Sequence, residues 1–89
     1  MENVKRITLT GNWEAVTFTR ATKTYFVKNF SEGNIFVSFE ENDTEDTSIK
    51  ILQNTGEQID ISPVILQQLN YKSDTIYIKG TGEVEIQQL

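Results

Sequence analysis

The 89-residue chain makes one domain with a thin core, because a chain of this size buries only about 60–65% of the surface its unfolded form exposes. Hydrophobic residues are 37% of it, with five Phe, three Tyr and one Trp, which suits a small compact fold that partner subunits can stabilise. A net charge of −5 with eight scattered basic residues argues against nucleic acid and anionic membranes, both of which select clustered Lys and Arg.

The opening Met1–Arg6 lacks the apolar stretch of a signal peptide, so synthesis in the cytoplasm without export by a visible signal is expected. Period-two alternation then begins and dominates the chain. It predicts strands over Val4–Thr10, Glu14–Thr19, Thr24–Phe30, Asn34–Glu40, Ser48–Leu52, Glu57–Ser62, Thr75–Lys79 and Glu83–Leu89. Turn residues punctuate them at Gly11-Asn12, Ser31-Glu32-Gly33, Asn54-Thr55-Gly56 and Gly80-Thr81-Gly82. About eight short strands at this spacing predict an all-β, antiparallel sandwich of jelly-roll or immunoglobulin-like type over residues 1–89.

Trp13 follows the first turn, where packing at the end of a sandwich and an exposed aromatic surface are both open to it. Next comes a hairpin centred on Glu32-Gly33. This register sets Phe26, Phe30, Ile35, Val37 and Phe39 on one face, and Tyr25, Val27 and Phe36 on the other. With apolar residues on both sides, either the hairpin is central and covered twice, or its second face meets another subunit. Tyr25, Val27 and Phe36 are therefore the candidate subunit interface.

Glu40 to Asp46 is the most acidic stretch. It lacks the alternating ligands, central Gly and terminal Glu of an EF-hand, so a solvated loop is the expectation, with calcium left open. Further on, a hairpin over Asn54–Gly56 opposes Ile51 to Ile59 and Ile49 to Ile61. Ser62-Pro63 can start a helix, and one or two turns near 63–70 are the most the segment supports. The longest apolar run, Val64 to Leu66, is too short to cross a bilayer.

The last hairpin, over Gly80–Gly82, opposes Ile78 to Val84 and Ile76 to Ile86 on an apolar face. Its wet face opposes Tyr77 to Glu85, which makes Tyr77 the better exposed partner for Trp13 in an aromatic binding surface. Asn29-Phe-Ser and Asn42-Asp-Thr match the glycosylation acceptor pattern, by chance if the chain is not secreted.

Candidate chemistry is sparse. The chain has no His and no Cys, which removes the usual general base, the commonest metal ligand and the thiol nucleophile. Gly80-Thr81-Gly82 lies between strands and does not open a helix, so it is a turn and not a phosphate cradle. No catalytic residue, cofactor or metal ligand is expected, and the chain is read as a non-enzyme.

Four segments together resemble small virion proteins of tailed phages and prophages of Gram-positive bacteria. They are Ile7-Thr-Leu-Thr-Gly-Asn-Trp-Glu, Tyr25-Phe-Val-Lys-Asn-Phe, Ser48-Ile-Lys-Ile-Leu and Asp74-Thr-Ile-Tyr-Ile-Lys-Gly-Thr-Gly-Glu-Val-Glu-Ile. The resemblance is one of overall pattern and transfers no functional residue. It implies a sandwich or jelly-roll module that decorates a head or joins tail and fibre parts, as a homo-oligomer in contact with other virion proteins. It also implies a protein made in the host cytoplasm and carried in the virion. The alternatives are a carbohydrate-binding or host-adhesion module, with Trp13 and Tyr77 as the test pair, and a regulator that docks through a sheet edge.

Overall fold

The computed structural model describes residues 4–39, 44–45, 48–60 and 73–89. Eight strands appear in the order β1 (Val4–Thr10), β2 (Glu14–Thr22), β3 (Thr24–Asn29), β4 (Ile35–Ser38), β5 (Ile49–Ile51), β6 (Gly56–Asp60), β7 (Ser73–Lys79) and β8 (Thr81–Gln88). Each matches an alternating run of the sequence to within a few residues. The expected helical turn near 63–70 lies outside the described residues.

The strands form two four-stranded antiparallel sheets, A in the order β1-β8-β3-β6 and B in the order β2-β7-β4-β5. The pairs β1–β8, β2–β7, β3–β6 and β4–β5 are the rungs of one long hairpin whose apex lies between β4 and β5. Rolling that ribbon on itself adds the pairs β8–β3 and β7–β4 and closes the sandwich. Eight strands rolled into two sheets in this way make the jelly roll, the first of the two sandwich types anticipated.

This topology corrects all three sequence-based hairpins. β3 and β4, β5 and β6, and β7 and β8 each sit in opposite sheets, so the turns at Ser31–Gly33, Asn54–Gly56 and Gly80 are crossings. β4 and β5 alone are both consecutive in the chain and hydrogen-bonded to one another. The physical reason is that alternation records which residues face the core, and two strands facing each other across the core carry the same pattern as two side by side. Ile76, Ile78, Val84 and Ile86 do share one apolar region and are fully buried, but they meet across the core. Ile51 and Ile59 do the same from β5 and β6, whereas Ile61 lies outside the described residues.

At Glu32-Gly33 the face assignment was also off by one position. The crossing takes the five residues 30–34, not a two-residue turn, so Tyr25 and Val27 point inward together with Ile35 and Val37. Tyr25 sits between Phe18 and Phe39, with ring centroids 5.7 and 5.6 Å away. Its hydroxyl accepts from Gln88 Nε2 at 3.3 Å, and the same nitrogen donates to the Arg20 carbonyl at 2.7 Å. A buried phenol is thereby paired, which removes the cost of hiding an unsatisfied polar group.

Candidate functional site

With the core face of every strand assigned, the opposite residues define the outer surfaces. On sheet B the register places Ala15, Tyr77 and Ser38 in one row across β2, β7 and β4. The next row holds Lys79, Phe36 and Lys50 across β7, β4 and β5. Phe36 and Tyr77 are diagonal neighbours on this face and both are half-buried. Trp13, also half-buried, directly precedes β2 and shares its parity with the outward Ala15. The sheet thus collects Phe36, Tyr77 and Trp13 on one side from three separate parts of the chain.

Polar groups frame these rings. Thr17 and Thr75 bring their hydroxyls to 3.1 Å across β2 and β7. Lys79 Nζ meets Glu45 Oε2 at 2.8 Å, and the Ser48 hydroxyl donates to the Glu45 carbonyl at 3.2 Å. Glu45 belongs to the acidic stretch, so the apex of the rolled ribbon is tied back onto the same face. Residues 40–43 and 46–47 lie outside the described residues, and with them most of the calcium question. Among the described residues no cluster of three acidic side chains is arranged to hold a metal.

Two of the three candidate interface residues do not belong to any surface. Tyr25 and Val27 are fully buried beneath sheet B, and Phe36 alone keeps an exposed part. Tyr77 does not oppose Glu85 either, because those residues lie in different sheets. Of the expected aromatic pair, Tyr77 lies on the outer side of sheet B, Trp13 directly precedes β2, and both are half-buried.

The outer face of sheet A is electrostatic. Glu85 on β8 lies in register between Arg6 on β1 and Lys28 on β3. Arg6 Nε reaches its carboxylate at 3.0 Å and Lys28 Nζ at 3.3 Å, while the Glu85 side chain is only 11% exposed. The hydrogen bond from Arg6, followed by that from Lys28 and the charges of both, holds the Glu85 carboxyl below the usual carboxylate range; partial burial opposes this. Glu85 is therefore kept ionised, a brace between strands and not a proton donor.

The end of the sandwich where β1, β3, β5 and β7 cross sheets was not singled out by the sequence. Its centre is Asn29, 1% exposed. Asn29 Nδ2 donates to the carbonyls of Gly33 at 2.9 Å, Ile51 at 3.2 Å and Leu52 at 3.1 Å. Its Oδ1 accepts from the Ser31 amide at 2.9 Å, and the Ser31 hydroxyl stands 2.6 Å away. The Asn29 amide donates to the Thr55 carbonyl, and the Phe30 amide to the Glu83 carbonyl. The Asn29 side chain and amide thus tie two crossings together, and the Phe30 amide joins them to β8. The Asn29-Phe-Ser triplet is this buried turn, so its amide faces no modifying enzyme; Asn42 lies outside the described residues.

Compared with known proteins, the chain matches no family model, no curated protein and no solved structure.

Proposed function

We propose that the chain is a non-enzymatic virion structural or accessory protein of a tailed phage or prophage, working through contacts with copies of itself and with other virion proteins. The observation that carries this reading is the outer side of sheet B. Phe36, Tyr77 and Trp13 gather there on a rigid sheet, and aromatic residues at such positions are the usual anchors of protein interfaces. The pattern resemblance to phage virion proteins supports the setting, and the jelly roll is an architecture used by capsid proteins, although architecture by itself assigns no function.

Native mass by light scattering over a dilution series tests the reading, with Phe36→Glu beside the unmodified chain. The expected result is a defined oligomer that survives dilution and is dissociated by the substitution. A monomer at all concentrations overturns self-assembly through this face.

A second reading, a carbohydrate-binding or adhesion module, is favoured by Trp13 and Tyr77 standing on the same side of one sheet. It predicts that glycans perturb Tyr77 resonances and that Tyr77→Ala abolishes the response.

A further inference from the structure

The crossing end of the sandwich carries an open groove of about 530 Å³ between residues 30–34 and residues 80–83. That volume is within the range of small-molecule sites. Phe30 stands on its rim with 48% of its surface exposed, one of three large hydrophobic residues so exposed among the described residues. Glu32, Asn34 and Glu83 also line it, and among the described residues no side-chain partner engages any of the three.

The floor is fixed. Gly82 is in the left-handed region at φ 117°, and a Cβ there would lie 2.5 Å from that of Ser31. A Cβ on Gly80 would lie 2.7 Å from Ile35 Cγ2. Ser31 and Gly33 are held in turn by Asn29, so one wall rests on a buried hydrogen-bonded network, and the Phe30 amide joins it to the other at the Glu83 carbonyl. Gly33 differs: a Cβ there meets nothing within 4 Å, and the space it would enter is open. The groove is preformed, which lowers the ordering cost of binding a ligand.

We propose that this groove binds a neutral sugar ring. The half-exposed Phe30 ring offers an apolar face to the C–H side of a pyranose. Glu32, Glu83 and the Asn34 amide offer acceptors and a donor to its hydroxyls, and carboxylates accept short, strong hydrogen bonds. Among the described residues no Lys or Arg lines the groove, so sulfated, phosphorylated or uronic sugars are repelled by its two carboxylates. A metal cation also takes carboxylates and an Asn carbonyl, but it leaves the exposed Phe30 ring without a partner. The groove lies outside the outer face of sheet B, and neither reading depends on the other.

The test is a titration of the ¹⁵N-labelled full chain with methyl glucoside, methyl galactoside and N-acetylglucosamine, with a uronic acid and N-acetyl-arginine amide as charged probes. A neutral sugar is expected to give saturable millimolar shifts at the amides of Phe30, Gly33, Gly82 and Glu83, and the uronic acid none. Gly33→Leu adds a side chain at a lining residue where a Cβ meets nothing within 4 Å, and Phe30→Ala removes an exposed ring, so both should keep the native spectrum. Each is expected to weaken sugar binding about tenfold or more, the size of a lost anchoring contact. Glu57→Gln, on the exposed edge strand β6 and away from the groove, should bind as the unmodified chain does. Absence of saturable shifts with all three neutral sugars overturns the proposal. So does a sugar response confined to Trp13 and Tyr77, or binding by the arginine probe alone.

Discussion

The Cβ that Gly82 lacks would stand 2.5 Å from the Ser31 Cβ, closer than side-chain carbons approach. This places two crossings of the rolled ribbon, β3 to β4 and β7 to β8, in direct contact at one end of the sandwich. Gly82 also has φ 117°, where an L side chain is strained. Gly82→Ala should therefore cost about 2–4 kcal/mol, combining backbone strain with a forced shift of Ser31. Gly33→Ala, with open space around its Cβ, should stay within about 0.5 kcal/mol. Paired urea melts of the two variants check this, and equal costs would contradict the packing described.

Asn29→Ala should destabilise the domain by about 2–4 kcal/mol, because it leaves buried carbonyls and the Ser31 amide without their partner. Asn29→Asp keeps the shape and one acceptor but loses the donors to Gly33, Ile51 and Leu52, so it should not restore stability. Urea denaturation of both variants is the measurement. A neutral Asn29→Ala would mean that water satisfies the crossings just as well.

Glu85 gives a pH dependence with a definite sign. Its folded carboxyl titrates below the ordinary value of 4.5, so its contribution is fully present above that value and is lost as pH falls through the folded one. Thermal melts should show stability declining from about pH 4.5 downward, and Glu85→Gln should flatten that decline. Arg6 and Lys28 are substantially exposed, so salt should weaken the same contribution at neutral pH. A Glu85→Gln protein with the unchanged acid profile would show that other carboxylates control it.

Deleting Val84–Leu89 should abolish folding. β8 is paired on both sides, with β1 and with β3, and it supplies Val84 and Ile86 to the core. The Leu89 amide also donates to the Thr24 carbonyl. Circular dichroism and size-exclusion chromatography of the truncated chain decide the matter, and a compact β-rich product would overturn the strand order.

Much of this was legible in the sequence at the level of single strands. Alternation located all eight and named Ile76, Ile78, Val84 and Ile86 as a buried set, because the side-chain period of a strand is local information. Their pairing was not legible. Gly80 and Gly82 look like a hairpin turn, yet Gly80 turns the chain from one sheet to the other and lies against Ile35, a contact that depends on a strand about 45 residues away in the chain. Tyr25 and Val27 were misplaced for a related reason, since their outward or inward sense rested on the length of the crossing that follows. Phe36, Tyr77 and Trp13 were individually visible as candidates, but only the register of sheet B shows that they share a side. The groove beside Asn29 had one sequence signal, a cluster of turn formers at 31–34 and another at 80–82, whose proximity no local pattern reveals.

Every residue of β1 that enters the ladder has its partner in β8. During synthesis the first strand emerges from the ribosome early and must wait for the last before it can pair. The same holds for β2 and β7, so only the β4–β5 apex and then the β3–β6 rung can form before the later strands emerge. Until β7 and β8 have emerged, the nascent chain carries its early apolar strands unpaired, and protection by chaperones or by slow, dilute production should decide how much of it reaches the folded state.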